Sequence, residues 1–244
     1  MIDPRESVVG RRLGGVARIL GFYSAKGGVG KTLCTTVAAL TLAGAGRRVG
    51  VLDLDLQGAS SHIFLGVRPR MPVEERGILP LPVVGNLVFM SASIFAGERA
   101  LALRGPEVSD AISELLAVTQ WGALDCLLVD MPPGIGDEVL DLARLIPRLE
   151  ALVISTPSAV SVAVVQRLVA VLAEMHVPTP GIVANMAEGR AESVREMARR
   201  SGIPFAGEVQ IDRGVEASIG DPRRLAATSA ARDVRNVLSA IRLL

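Results

Sequence analysis

Six short runs of the chain are apolar at nearly every position: ARILGFYS (17–24), RVGVLDLD (48–55), NLVFMSAS (86–93), LDCLLVD (124–130), ALVIST (151–156) and GIVAN (181–185). None alternates polar with apolar residues, as a strand with one wet face does. Continuous apolarity rich in β-branched residues suits strands buried on both faces of a parallel sheet. Between these runs lie helix-length amphipathic stretches at 31–45, 107–119, 137–147, 158–175 and 190–201, and a last helix, 222–242, closes the chain. Strands alternating with helices imply right-handed crossovers and an α/β fold, a doubly wound, mostly parallel sheet of about seven or eight strands flanked by helices. Ligands on such a sheet bind beyond the carboxyl ends of the strands. With no internal repeat and no dividing linker, 1–244 reads as a single domain with residues 1–16 as an N-terminal arm. The proline-rich segment Val67–Pro82 is expected to be a mobile surface loop.

Composition narrows the function classes. Half the residues are hydrophobic and the formal net charge is +1, so no bulk charge draws the chain toward nucleic acid or a membrane surface. Nucleic acid is not an expected partner. The arginine pairs Arg11–Arg12, Arg47–Arg48, Arg199–Arg200 and Arg223–Arg224 read as solvated turns and helix ends. Cys34 and Cys126 lie far apart in apolar surroundings, which suits buried free thiols in a reducing compartment. The N-terminal sequence has charge but no apolar core, so a secretory signal is not expected. The most apolar region, from Ala151, is broken by Ser155, Pro157 and Ser158 and reads as strand, turn and helix rather than a transmembrane segment. The expected location is cytoplasmic.

Against this arginine-rich background the only two lysines, Lys26 and Lys31, stand in one glycine-rich loop, AKGGVGKT. The loop and its edge comprise Ala25, Lys26, Gly27, Gly28, Val29, Gly30, Lys31, Thr32 and Leu33, between a strand and a helix. Glycines let such a backbone wrap a phosphate, and the helix N-terminus aims N–H groups and a positive dipole end at it. Lys31 is placed to reach the β- and γ-phosphates of a nucleotide, and the Thr32 hydroxyl to ligate Mg²⁺. Ala25 replaces the first glycine of the ordinary G-x-x-x-x-G-K-[ST] pattern, so the loop fits K-G-G-x-G-K-[ST] instead. A compact ammonium fits a tight phosphate nest where the planar arginine fork does not.

Carboxylates suited to this loop follow it. LDLD (52–55) offers Asp53 and Asp55, two residues apart on one strand face. LLVDMPPG (127–134) has the form of a Walker B strand, with Asp130 holding Mg²⁺ through water and Gly134 presenting its N–H to the γ-phosphate as a switch. Asn185 ends a late strand, where its amide either pairs with the edge of adenine or caps a helix.

Together SAKGGVGKT, VGVLDLD, the LRGP of Leu103–Pro106, WGALDCLLVDMPPGIGDEVL (121–140), ISTPSAVSVAVV, GIVANM and GDP (220–222) resemble, in order and spacing, the Mrp family of ATP-binding proteins. This is the deviant-Walker-A group of P-loop NTPases that includes MinD and ParA, and the resemblance covers roughly residues 17 to 225. It implies an ATPase that works with Mg²⁺ as a homodimer across the nucleotide. In that arrangement Lys26 crosses to the partner's phosphates, as an arginine finger does. Asp55 orients the attacking water, and Asp53 supports the Mg²⁺ shell. It also implies, for many members, the carriage of iron–sulfur clusters. Here the usual C-x-x-C downstream of Asn185–Met186 is missing, and no cysteine follows Cys126. Clusters need thiolate ligands, so an iron–sulfur cluster is not expected in this chain alone. Gln210 and Ser158 stand where the family has proline and glutamine.

The expected function is thus a Mrp-type ATP-dependent switch linked to cluster or metal delivery through an unidentified protein partner or cargo. The alternative is a MinD- or ParA-like positioning or chromosome-partitioning ATPase, which LDLDLQGASS echoes. The apolar spacing of Val234, Val237, Leu238, Ile241 and Leu244 favours a core-packed last helix over a membrane tail. A nucleotide-binding adaptor without turnover is disfavoured by the presence of Asp53, Asp55 and Asp130.

Overall fold

The structure, a computed structural model, describes residues 4–56, 58–68, 70–96 and 106–244. Of the quoted LRGP motif, residues 103–105 lie outside the described residues. In chain order the elements are α1 (Pro4–Arg12), β1 (Val16–Tyr23), α2 (Lys31–Gly44), β2 (Val49–Asp53), α3 (Ser61–Phe64), β3 (Leu81–Pro82), β4 (Leu87–Ser91), α4 (Ser93–Ala96), α5 (Pro106–Val118), β5 (Leu124–Asp130), α6 (Asp137–Leu145), β6 (Leu149–Ser155), α7 (Ala159–Glu174), β7 (Gly181–Asn185), α8 (Glu192–Arg200), β8 (Phe205–Val209), α9 (Pro222–Ala226) and α10 (Ser229–Ala240).

The strands form one eight-stranded sheet in the order β3-β4-β2-β5-β1-β6-β7-β8. Every pairing is parallel except β3 with β4, so the sheet is doubly wound and mostly parallel, as the apolar runs require. All five residues of β2 and of β7 are buried, as is most of β1, β5 and β6. β1 lies between β5 and β6, with β2 beyond β5, which brings the carboxyl ends of β1, β2 and β5 side by side.

Several elements differ from the sequence expectation. The arm at 1–16 carries α1, whose Val9 is fully buried with Leu13 just beyond, and Arg12 Nε donates to Ala117 O at 2.9 Å. The last helix is two helices. Asp221 caps α9 by accepting from Arg223 N and Arg224 N, and Thr228 caps α10 by accepting from Ala231 N. Asp and Thr favour such a break because their short side chains accept from the free backbone N–H groups at a new helix start. α10 packs on β8 and α2 and buries Val234, Val237 and Leu238, so it is a core helix. Within the 67–82 segment, Ile78 N–H donates to Val118 O at 2.8 Å and its carbonyl accepts from Gln120 N at 2.8 Å.

Candidate functional site

β1 ends at Tyr23, and the chain turns through Ser24–Gly30 to start α2 at Lys31. The turn needs left-handed backbone at Gly28 (φ 76°) and Gly30 (φ 79°), a region where a side chain is strained. The P-loop residues line an open cleft of about 270 Å³ together with Asp55, Gly58, Ser60, Phe64 and Pro133. Within the loop Ala25 and Val29 are buried, Lys26 is half-buried, and Gly27 and Gly28 are exposed. Leu33, half-buried, forms the edge of the cleft on α2.

Beneath the cleft, behind Lys31 and Thr32, lies a buried ionic network. Asp53 and Asp130 are register partners at the ends of the adjacent strands β2 and β5. Lys31 Nζ donates to Asp130 Oδ1 at 2.5 Å, and both side chains are buried. Thr32 Oγ1 donates to Asp130 Oδ2 at 2.7 Å, and the Thr35 and Ser61 hydroxyls reach the same carboxylate at 3.3 and 3.4 Å. Asp53 accepts from the backbone N–H of Asp55 and of Ser61, each at 3.1 Å. Burial, and then the charge of Asp130, push the Asp53 carboxyl up to about 7, against the hydrogen bonds of Ser61 and the charge of Lys31. Two buried carboxylates therefore face one ammonium.

Asp55 does not share a strand face with Asp53. β2 ends at Asp53: Leu54 N–H makes a last bond to β5, to Asp130 O at 3.0 Å, and the chain then turns, with Leu56 N–H donating to Leu54 O at 3.0 Å. Asp55 instead hangs over the cleft, its Oδ1 accepting from Gly58 N at 2.9 Å. Gly134 (φ 102°) donates its N–H to Ser24 O at 2.8 Å, so in this conformation the group assigned to a phosphate is held by the P-loop strand. Asn185 is 2 % exposed and caps no helix, since α8 begins after Ala191. Its Nδ2 donates to Val29 O at 2.7 Å, inside the P-loop.

Ser61 and Thr35 escape notice in the sequence. The only sequence signal for Ser61 is the ParA-like LDLDLQGASS, whose last serine returns to both carboxylates. Cys34 and Cys126 are buried free thiols, each pushed up to about 12 by burial. Cys126 pairs in register with Arg18 and Val49 near the amino ends of the strands, whereas Cys34 lies on α2 beside the P-loop. Among the described residues no group of three or more His, Cys, Asp and Glu side chains is arranged to hold a metal ion, and no helix is long and apolar enough to cross a membrane.

A protein-family profile described as "ParA: NUBPL iron-transfer P-loop NTPase" matches residues 15–242. The chain is 34% identical over 229 residues to a chloroplastic Fe-S cluster assembly factor of Oryza sativa subsp. japonica, covering 85% of this chain and 43% of that protein. It thus spans less than half the length of that plant relative. It is 32% identical over 234 residues to the iron-sulfur cluster carrier protein of Pseudomonas fragi, covering 86% of this chain and 81% of that one. Among solved structures it resembles a nucleotide-binding protein of Archaeoglobus fulgidus in complex with ADP, at a TM-score of 0.79 and 28% identity over 91% of this chain and 93% of that one. The cell division ATPase MinD of Pyrococcus furiosus shares the fold, with a TM-score of 0.67 at 18% identity over 93% of this chain and 98% of that one.

Proposed function

Because this chain belongs to the ParA-type family of NUBPL iron-transfer P-loop NTPases, we propose that it binds Mg-ATP in the cleft between β1 and α2, hydrolyses it, and works as a homodimer. The observation that carries the reading is the meeting of Lys31, Thr32 and Asp130 beneath the cleft. A P-loop lysine, a hydroxyl and a Walker B carboxylate converge from segments about a hundred positions apart, and Asp53 adds a second carboxylate beside them.

The donor set fits Mg²⁺. Hard oxygens of Thr32 and Asp130 meet, Asp53 is the register partner of Asp130, and a dication would favour the ionised form of both carboxylates. When bound, Mg²⁺ supplies charge neutralisation for the phosphate oxygens. Lys31 would reach the β- and γ-phosphates, with the N–H groups of the loop and of α2 around them. Asp55, which lines the same cleft, orients the attacking water. Lys26 is half-buried at the cleft and has a flexible stem, which suits a reach to the phosphates bound by a second copy. A cytoplasmic location accords with this chemistry.

The cluster-transfer role carried in the names of relatives falls here to a partner's thiolates. Both thiols of this chain are buried, held in the protonated form, and set at different ends of the sheet. Phosphate release from purified protein with Mg-ATP, with and without EDTA, tests the enzymatic reading. Turnover that stops on chelation supports it, and a protein that binds Mg-ATP without ever releasing phosphate contradicts it.

A further inference from the structure

A phosphate nest works by turning successive N–H groups toward the anion, which turns neighbouring carbonyls the other way, into the protein. Val29 is such a position. Its side chain is 2 % exposed, and its carbonyl points away from the cleft to the end of β7, where Asn185 Nδ2 meets it at 2.7 Å. A buried carbonyl without a donor is costly, so this contact decides whether the outward-turned peptide is tolerated. The contact has also shaped its neighbour. A Cβ on Gly30 would lie 2.2 Å from Asn185 Nδ2 and 3.4 Å from the Met186 Cε, so residue 30 is glycine for want of space as well as for its φ of 79°. Behind Asn185 the chain is held in a loop with two left-handed non-glycine residues, Met186 (φ 54°) and Glu188 (φ 45°). This loop is pinned to β8 by Ala187 N–H donating to Val209 O at 3.1 Å, and beyond it by Gly189 N–H donating to Gln210 Oε1 at 3.1 Å. Strain of this kind persists where the surroundings fix it.

We infer that Asn185 is a positioning residue for the phosphates: it holds the Val29–Gly30 peptide in the phosphate-binding orientation, and this role does not depend on a nucleotide base. The inference rests on the proposed nucleotide site and assigns Asn185 a role there other than reading adenine.

The test separates phosphate from base by using Mg-tripolyphosphate, which has no base, beside Mg-ATP in calorimetric titrations. Asn185→Leu keeps the branched shape and neutrality while removing the donor, and Asn185→Ala removes both bulk and donor. Each is expected to weaken Mg-tripolyphosphate and Mg-ATP by the same factor, about 10- to 100-fold, the equivalent of one unpaired buried carbonyl. Loss confined to Mg-ATP would make Asn185 a base reader and overturn the inference, as would unchanged affinity for both. Gly30→Ala approaches the contact from the other side. It is expected to weaken Mg-tripolyphosphate as well, and to cost less in the Asn185→Ala background, where the steric part is gone; strict additivity would count against the pairing. Should the wild-type chain bind neither probe, the nucleotide site itself fails; should it bind both while the variants match it, only the role of Asn185 fails.

Discussion

Replacing Lys31 by alanine removes the only ammonium from a buried carboxylate pair, and the size of the effect follows from the surroundings. Lys31 and Asp130 have side-chain exposures of 6% and 1%, so the ion pair is almost dry. Breaking such a pair from one side costs about 3–5 kcal/mol, because the remaining charge is buried without compensation. Asp130 keeps the hydroxyls of Thr32, Thr35 and Ser61, which places the expected loss near the lower end, about 3 kcal/mol. For a domain of this size that is a fall in melting temperature of roughly 6–12 °C.

The loss depends on pH with a definite sign. The Asp53 carboxyl is raised from 3.8 to about 7 in the folded protein, so the folded state holds a proton that the unfolded state has released across that window. The contribution of Asp53 to stability is therefore greatest below the unfolded value and is lost as pH rises through about 7. Without Lys31 the Asp53 carboxyl loses the positive charge that lowers it and holds its proton more tightly, so the deficit against wild type shrinks as pH falls. Melting curves of wild type, Lys31→Ala and Lys26→Ala without nucleotide, from about pH 5 to about pH 8, check this. Lys26, half-buried on the cleft wall, should change stability by no more than about 0.5 kcal/mol. Lys31→Ala melting within about 2 °C of wild type at the upper pH, or showing a deficit that does not shrink with acid, would refute the reasoning.

Other outcomes follow from the same geometry. Asp55→Ala should lower turnover about 100-fold or more while Mg-ATP binding persists, and light scattering should show a longer-lived ATP-bound dimer; an unchanged rate would remove Asp55 from the chemistry. The double variant Cys34→Ala/Cys126→Ala should retain ATPase activity within about twofold, and anaerobic reconstitution of the wild type should give no stable cluster absorbance. A stoichiometric cluster lost on replacing Cys126 would contradict that. Thr228→Ala, which removes the cap of α10, should cost about 1 kcal/mol, read as a drop of roughly 2–4 °C in melting temperature.

What the sequence shows and what it hides divide along physical lines. Strands buried on both faces announce themselves by unbroken apolarity, and GIVAN coincides with β7 residue for residue. β8 does not, because FAGEV is only partly buried and carries Gly207 at φ 141°. β3 is two residues long and ends in Pro82, which has no N–H to donate, so only its pairing with β4 defines it. The P-loop is legible because its requirements are specific: glycine where the backbone turns left-handed, and an ammonium and a hydroxyl at the start of the helix. Asp130 is legible because an acid at the end of an apolar strand has few other uses. The Ser61 contacts depend on a loop that leaves β2 and returns to the carboxylates eight residues later, and nothing about a serine signals that return. For Asn185 the strand end is visible, but its partner is a carbonyl 156 positions away.

The central claim is that the chain hydrolyses ATP as a dimer in which Lys31 serves its own nucleotide and Lys26 serves the partner's. Phosphate release from an equimolar mixture of Lys26→Ala and Lys31→Ala, below the melting temperature of both, tests it most directly. In a mixed dimer the Lys26→Ala subunit keeps Lys31 for its own nucleotide and receives Lys26 from its partner, so one site of two is complete. Each variant alone should be nearly inactive, and the mixture should recover up to about a quarter of the wild-type rate. A mixture no more active than its components, or Lys26→Ala alone turning over at the wild-type rate, would contradict the division of labour between the two lysines.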